Sequence, residues 1–441
     1  MPELRVQNLY AEMSPTGGPQ PLLIDRPGLV QSRSDAGGVT RLVWQRDGVL
    51  GDKLLTVVGG RVLLDGVLLG TVAGNGLCRA AAGVGEALLL SDGQLYRLTE
   101  TSVAAVAFPD GARVADLDFL RGRFVFVRED TGQFYWSDIL DGDTIDGLSF
   151  ATAESQADPL NAIRAIGDEL WALGTETVEP YTVSTDPDLP YVPIGGRVFP
   201  KGCLSGATVA TVDNALFWVS PDRFVYRGGA AVPERVSTHG IEERIAEVPV
   251  GDLSAWAFTW RGHSFYVLRA EGSGSWVYDA ATGQWAEWKS YNAATWAAWT
   301  GQNVDGAVYA GSADDGTLWT LSDDESTDEG AAIERVFTAL LPVQSGLVPV
   351  DSVELSALAG RAPLGVSPTV EMRQSRDGGF TWGAWRGVSL GSQGNYRARP
   401  LWWRNGSADA PGMVFEFRLT DEAPLRVSAV LYNEASRGLA R

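Results

Sequence analysis

The chain is poor in the residues on which most enzymes and secreted scaffolds depend. Its 441 residues include two cysteines, Cys78 and Cys203, and two histidines, His239 and His263. Two cysteines exclude a disulfide framework. They offer no zinc-ligand spacing, and they read as small buried residues. Neither histidine has a serine or cysteine neighbour in a nucleophile motif such as G-x-S-x-G, and both read as structural. GSGSW at 272–276 holds serines, but at a hairpin turn. No Walker A or dinucleotide fingerprint is present, since the G-x-G pieces open turns rather than helices. Positive charge is scarce: 35 Lys and Arg stand against 55 Asp and Glu, for a net charge of −20. That balance argues against a protein that grips DNA phosphates, which takes Lys and Arg to displace counterions. It leaves room for duplex sliding through an acidic channel without sticking, and it keeps a large β protein soluble. No run approaches the roughly 18 apolar residues that span a bilayer, so no membrane insertion is expected. The opening MPELRVQNLYAEMSP lacks a basic-then-apolar signal region, which predicts synthesis in a cytoplasm. Helical periodicity is nearly missing too. Residues 241–248, IEERIAEV, read as one short surface helix or loop.

What is abundant points to sheets. There are 52 glycines and 16 tryptophans. Residues 122–136, GRFVFVREDTGQFYW, form two aromatic and branched strands around a polar turn, where Gly132 suits a positive φ. The same phrase opens at Gly51, Gly85, Gly167, Asn214, Gly262 and Gly306, so successive openings lie 34 to 48 residues apart. Hairpins repeated at roughly 40–50 residues have the spacing of propeller blades, four strands each. A lone hairpin cannot bury its apolar face, whereas several stacked around an axis can. The reading is all-β: a β-propeller of six or seven blades, seven favoured, over residues 41–340.

The flanks differ. Residues 1–40 are rich in Pro and Gly and read as an extended arm, with Leu9, Tyr10, Pro27 and Leu29 as candidate subunit contacts. A composition break near 342–349 precedes longer alternating strands such as PTVEMRQS and MVFEFRLT. Alternation puts one face in a core and one in water, which predicts a β-sandwich over 341–441.

Chemistry-bearing motifs are few. Residues 375–382, SRDGGFTW, match the Asp-box pattern of sialidases and other glycosidases through Ser375, Asp377, Gly379, Thr381 and Trp382. Physically this is a turn: Asp377 accepts backbone N–H groups, the glycines bend, and Trp382 is expected to pack beneath. It stabilises a corner and is weak evidence for catalysis, which would need two placed carboxylates or a tyrosine nucleophile with supporting acid and arginines. Asp138, Asp141, Asp143 and Asp146 look calcium-like, but Ile145 falls where the EF-hand spacing needs a ligand. No catalytic, cofactor or metal residue is therefore assigned. Trp285, Trp288, Tyr291, Trp296 and Trp299 cluster at 285–299, and they read as blade packing more readily than as a sugar or partner surface.

The order of several stretches resembles the tail nozzle or hub proteins of short-tailed bacteriophages, the packaged-DNA stabilisation family. They are NLYAEMSPTGG with RPGLV, DKLLTVVGGRVLL, FVREDTGQFYWSDILDGDTIDGLSFATAESQADPL, ELWALGTETVEPY, GCLSGATVATVDNALFWVSPDRFVYRG and RVSTHGIEERI, followed by SRDGGFTWG and LGSQGNYRARPLWWR. The resemblance implies a non-enzymatic virion protein. It implies six copies in a ring below the portal and its adaptor, extending the DNA exit channel and retaining the packaged genome. A needle or plug would close the tip, spikes or fibres would dock outside, and duplex would pass through the lumen without sequence-specific binding. The competing readings are an Asp-box glycosidase or carbohydrate-binding protein, and a propeller scaffold for a cellular complex.

Overall fold

A computed structural model describes residues 5–13, 22–153, 158–229 and 232–433. The chain divides into two compact units. One comprises residues 31–273 and 297–320; the other comprises 1–30, 274–296 and 321–441. No helix among the described residues is long and apolar enough to cross a membrane. The short segment read as helix or loop at 241–248 overlaps an α-helix, His239–Ile245.

The first unit is the propeller. Five four-stranded antiparallel sheets follow one another, opening with Thr40–Trp44, Arg79–Ala82, Val114–Leu120, Leu160–Ile166 and Ala210–Val212. Leu253–Trp260 then pairs with His263–Ala270, and Ala298–Val304 with Ala307–Ser312. Strands lie at all seven hairpin positions expected from the repeat.

The reason for such apolar central strands is that both of their faces are covered. Side chains alternate across a strand, so neighbouring residues pack into opposite inter-blade layers. In the second blade Ala87 and Leu89 pack toward the first, while Leu88 and Leu90 pack toward the third. In the third blade Phe124 and Phe126 face the second, and Val125 and Val127 face the fourth. In the fourth, Leu170 and Ala172 face the third and Trp171 and Leu173 the fifth. Each buried Leu, Val or Phe among them contributes roughly 1.5–3 kcal/mol.

Turn chemistry follows the expected type at Arg121-Gly122 and Asp305-Gly306, where both residues of each pair hold positive φ, as a tight two-residue hairpin turn requires. Gly132 differs from expectation. The left-handed residue of its loop is Asp130, at φ 58°, and Gly132 instead keeps space beside the Asp158 carbonyl.

Four inner strands carry a register shift at their second residue, against the strand that follows. A bulge re-aims its side chain. Three of the four displaced residues use that freedom to reach a neighbouring blade. Arg41 donates to Ser91 Oγ at 2.7 Å. Asn161 Nδ2 donates to the Cys203 carbonyl at 2.7 Å. Trp299 Nε1 donates to the Thr40 carbonyl at 2.5 Å, joining the seventh blade to the first. Gln302 supports the same junction by accepting from the Gln45 amide at 2.8 Å and donating to its carbonyl at 2.9 Å.

The second unit is the sandwich. One sheet includes, in order, Gly274–Asp279, Gln284–Glu287, Val6–Gln7, Arg335–Pro342, Gly412–Leu419, Thr369–Ser375 and Arg386–Ser389. The other runs Leu9–Glu12, Leu22–Asp25, Arg426–Tyr432, Ser352–Ala357 and Leu401–Trp403. Phe337, Met372, Phe415, Phe417, Leu355, Trp402 and Leu425 fill the core between them. Leu9 joins that core, with Val6 and Leu23 packed against it. Within residues 1–40, Val6–Gln7 adds a strand to the first of these sheets, and Leu9–Glu12 and Leu22–Asp25 add strands to the second.

Candidate functional site

Three places hold the polar groups that could act: the propeller axis, the Asp-box turn with its sheet face, and the N-terminal segment.

At the axis, Arg79 leaves the inner strand of the second blade and donates from Nη2 to the carbonyls of Gly206 and Val209, at 2.8 Å each, at the fifth. Asp116 of the third blade pairs with Arg164 of the fourth and accepts the Ile163 amide at 3.0 Å. Asp118 accepts the Ala165 amide at 2.9 Å. Tyr266 donates to the Thr208 carbonyl at 2.8 Å. Burial shifts Arg79, Asp118 and Tyr266 toward their neutral forms. Burial and the neighbouring Arg164 bring Arg79 down to about 10, although a third of its side chain still meets solvent. Burial raises the Asp118 carboxyl against the pull of Arg164, and pushes the Cys203 thiol up to about 12. Asp116 Oδ1 and Arg164 Nη2 are buried without hydrogen-bond partners. The inner strands of blades two and five are thus one arginine side chain apart, and the axis has no room for a duplex.

Cys78 and Cys203 are both buried free thiols, which makes them inert. His263 is buried with its ring 5.7 Å from that of Phe265, and His239 sits on the surface 3.0 Å from Glu243. In the Asp138–Asp146 loop the carboxylates hold their own turn. Asp141 accepts the Asp143 amide at 3.0 Å and the Thr144 hydroxyl at 2.9 Å, Asp146 accepts the Leu148 amide at 2.9 Å, and Asp143 pairs with Arg97. No cluster of three or more metal-binding side chains occurs among the described residues.

The Asp-box forms the turn that follows the strand Thr369–Ser375. Ser375 donates to Asp377 at 2.7 Å and accepts the Gly379 amide at 2.8 Å. Asp377 also accepts the Thr381 amide at 2.9 Å and the Thr381 hydroxyl at 2.5 Å. Those bonds, from Thr381 first and then Ser375, hold the Asp377 carboxyl well below the usual carboxylate range. It stays a charged acceptor, the opposite of a general acid. Trp382 remains half-buried rather than sealed beneath the turn, and the Arg373 guanidinium lies 4.6 Å over its ring. Trp385 lies under two guanidiniums, Arg373 at 4.5 Å and Arg418 at 4.3 Å. Cross-strand register explains the cluster: Arg373 faces Glu416, and Glu371 faces Arg418, on adjacent strands. Residues of alternate sign thus cover the outer face, while Met372 and Phe417 point into the core.

The four N-terminal candidates are all buried within their own chain. Leu9, Tyr10 and Leu29 are at most 4% exposed, and Pro27 lies in the buried stretch between Arg26 and Leu29. Arg26 explains that tight fit. It makes a bidentate pair with Asp328, 2.9 and 2.5 Å, and donates from Nε to Asn8 Oδ1 at 2.9 Å. Trp288 Nε1 donates to the Leu9 carbonyl at 3.2 Å, and the rings of Trp288 and Trp296 meet at 5.1 Å. Sequence reasoning had no signal for the Arg26–Asp328 pair, because a lone arginine beside Pro27 looks like a solvated one. Of the aromatic cluster, Trp288 and Trp296 are fully buried, Trp285 rests 5.2 Å from Tyr278, and Tyr291 is 48% exposed.

Comparison with known proteins agrees with this architecture. No curated protein matches the chain. Among solved structures, BamB from Moraxella catarrhalis is 10% identical with a TM-score of 0.39, covering 68% of this chain and 97% of its own. A computationally designed protein, Ika8, is 12% identical with a TM-score of 0.41, covering 67% and 99%. Scores that low carry no argument here. Two family models do: one for the β-propeller of bacteriophage P22 Gp10 matches residues 3–326, and one for its β-sandwich matches residues 334–432. A propeller followed by a sandwich, matched along nearly the whole length, makes this chain a member of the bacteriophage P22 Gp10 family of structural tail proteins.

Proposed function

We propose that copies of this chain, six in number, form a ring that extends the DNA exit channel below the portal and its adaptor. The ring holds the packaged genome and lets it out at ejection. A needle or plug closes its tip, and spikes or fibres attach outside. The observation that carries this reading is the blocked propeller axis. A tail protein of this family whose own centre is bridged by Arg79 can guide DNA only between copies, and a closed ring of heterologous contacts supplies that passage. The net charge of −20 supports a lumen that repels phosphate and lets duplex slide. The chain would then lie in the virion after synthesis in the host.

A role without catalysis fits the polar groups. The Asp377 carboxylate is committed to its turn, and the axial carboxylates are committed to Arg164 and backbone amides. Mass measurement of the purified assembly tests the ring. A particle near six times 47.2 kDa supports it, and a stable monomer at micromolar concentration refutes it.

A further inference from the structure

A cavity of about 400 Å³ opens in the sandwich unit where the loop after Gln284–Glu287 meets the start of Arg335–Pro342 and the end of Gly412–Leu419. Lys289, Tyr291, Asn292, Glu334, Arg418 and Thr420 are among the residues lining it. Nothing in the ring reading uses it.

Its frame is fixed by hydrogen bonds. The Lys289 amide donates to Asn8 Oδ1 at 2.9 Å, and its carbonyl accepts from Arg26 at 3.2 Å. The Glu334 carbonyl accepts from Gln7 and Asn8, both at 2.9 Å, and its carboxylate accepts from Gln7 at 3.2 Å. Within this frame two cations are under-used. Lys289 Nζ is 4.0 Å from Glu334 Oε2, beyond hydrogen-bond reach, with four-fifths of its side chain covered. Arg418 spends Nε and Nη2 on Glu371 Oε2, at 2.9 and 2.6 Å, while its Nη1 stops 3.8 Å from Glu334 Oε1. Covered cationic donors gain most from an anion that can accept their hydrogen bonds.

We propose that this cavity binds an acidic saccharide, its carboxylate between Lys289 Nζ and Arg418 Nη1 and its ring against Tyr291. The half-exposed Tyr291 ring gives an apolar wall with a polar tip, suited to a sugar face. Asn292, Thr420 and the Glu334 carboxylate offer partners for sugar hydroxyls. A DNA strand has few free hydroxyls to offer Asn292, Thr420 and the Glu334 carboxylate, whereas a saccharide presents several on each ring. The inference does not rest on the ring reading, and its test reads binding rather than assembly.

The test is calorimetric titration of the full chain with trigalacturonate, a neutral galactose trisaccharide, inorganic phosphate and a short DNA duplex. Trigalacturonate should bind, and the neutral trisaccharide should bind more weakly. Lys289→Gln and Tyr291→Ala should each weaken trigalacturonate by about tenfold or more. Lys53→Gln, on the propeller surface, should leave it unchanged. Lys289 holds the frame through its backbone, so Lys289→Gln keeps the fold and decides the matter if Tyr291→Ala is unstable. Absence of trigalacturonate binding, or equal affinity in Lys289→Gln, overturns the proposal. Phosphate or duplex binding as tightly as trigalacturonate overturns it in favour of a phosphate site.

Discussion

The propeller and the sandwich solve the same problem, burying the faces of sheets, with opposite chain economies. Each of the five four-stranded blades hydrogen-bonds within about 40 consecutive residues, and neighbouring blades along the chain pack on one another. The sandwich gathers strands from residues 6–25, 274–287 and 335–432. The propeller's stability rests on repeated apolar layers, and a few side chains reaching between blades refine it. The sandwich's N-terminal strands instead depend on a buried ionic cluster, Arg26 with Asp328 and Arg335 with Asp25, to fix where a distant segment lands. A carboxylate-paired guanidinium specifies register where a non-local strand has no turn to set it.

The sharpest break of that comparison is Arg26→Met. Removing one member of a buried bidentate pair strands Asp328 and should cost about 3–5 kcal/mol in denaturant unfolding. A loss below about 1 kcal/mol would mean that apolar packing alone seats the N-terminal strands.

Asp25 gives the next largest effect, and it depends on pH. Burial raises its carboxyl to about 6, outweighing the Arg335 guanidinium 3.4 Å away. A raised folded-state value means a stabilising contribution that is complete below the ordinary carboxylate value near 3.8 and is lost as pH rises through about 6. Between pH 4 and 7 the swing is on the order of 2–3 kcal/mol. The stability of Asp25→Asn relative to the parent should therefore improve as pH rises over that window, as followed by thermal melts. A difference that is flat with pH would show Asp25 to be ordinary.

In the propeller, Trp299→Phe removes the bond to the Thr40 carbonyl where the last blade meets the first, and it should cost about 1–2 kcal/mol. An unchanged midpoint would show that the Gln45–Gln302 pair closes this junction alone. The subtlest contrast is kinetic. Local pairings form before distant ones. In pulsed hydrogen exchange during refolding, amides of Arg123–Arg128 should gain protection before those of Leu9–Glu12. Simultaneous protection would remove the distinction between the two regions.

This division also explains what the sequence made legible. The seven hairpins could be read because each is local: an apolar run, a polar turn and a second apolar run. That runs such as ALLLS and RFVFVR have both faces covered is seen only once the blades stack. The sandwich core was readable from alternation in 369–375 and 412–419, as was the Asp-box turn, whose bonds span four residues. The union of Val6–Gln7 with Arg335–Pro342 was not, because its partners are more than 300 residues apart and its strand is two residues long. Nor could Arg79 be singled out, since its role depends on the second and fifth blades facing each other across an axis. The cavity at Lys289 likewise needs three separated segments. Its one trace was Tyr291, a tyrosine within a tryptophan-rich stretch whose Trp288 and Trp296 are buried.

The central claim is that DNA passes between copies of this chain and never through a propeller. Electron cryomicroscopy of the purified tail assembly tests it directly. The account predicts six subunits around a lumen lined mainly by Asp and Glu, with Arg79 density crossing each propeller axis. A ring with a strongly basic channel, or nucleic-acid density along a propeller axis, would contradict it.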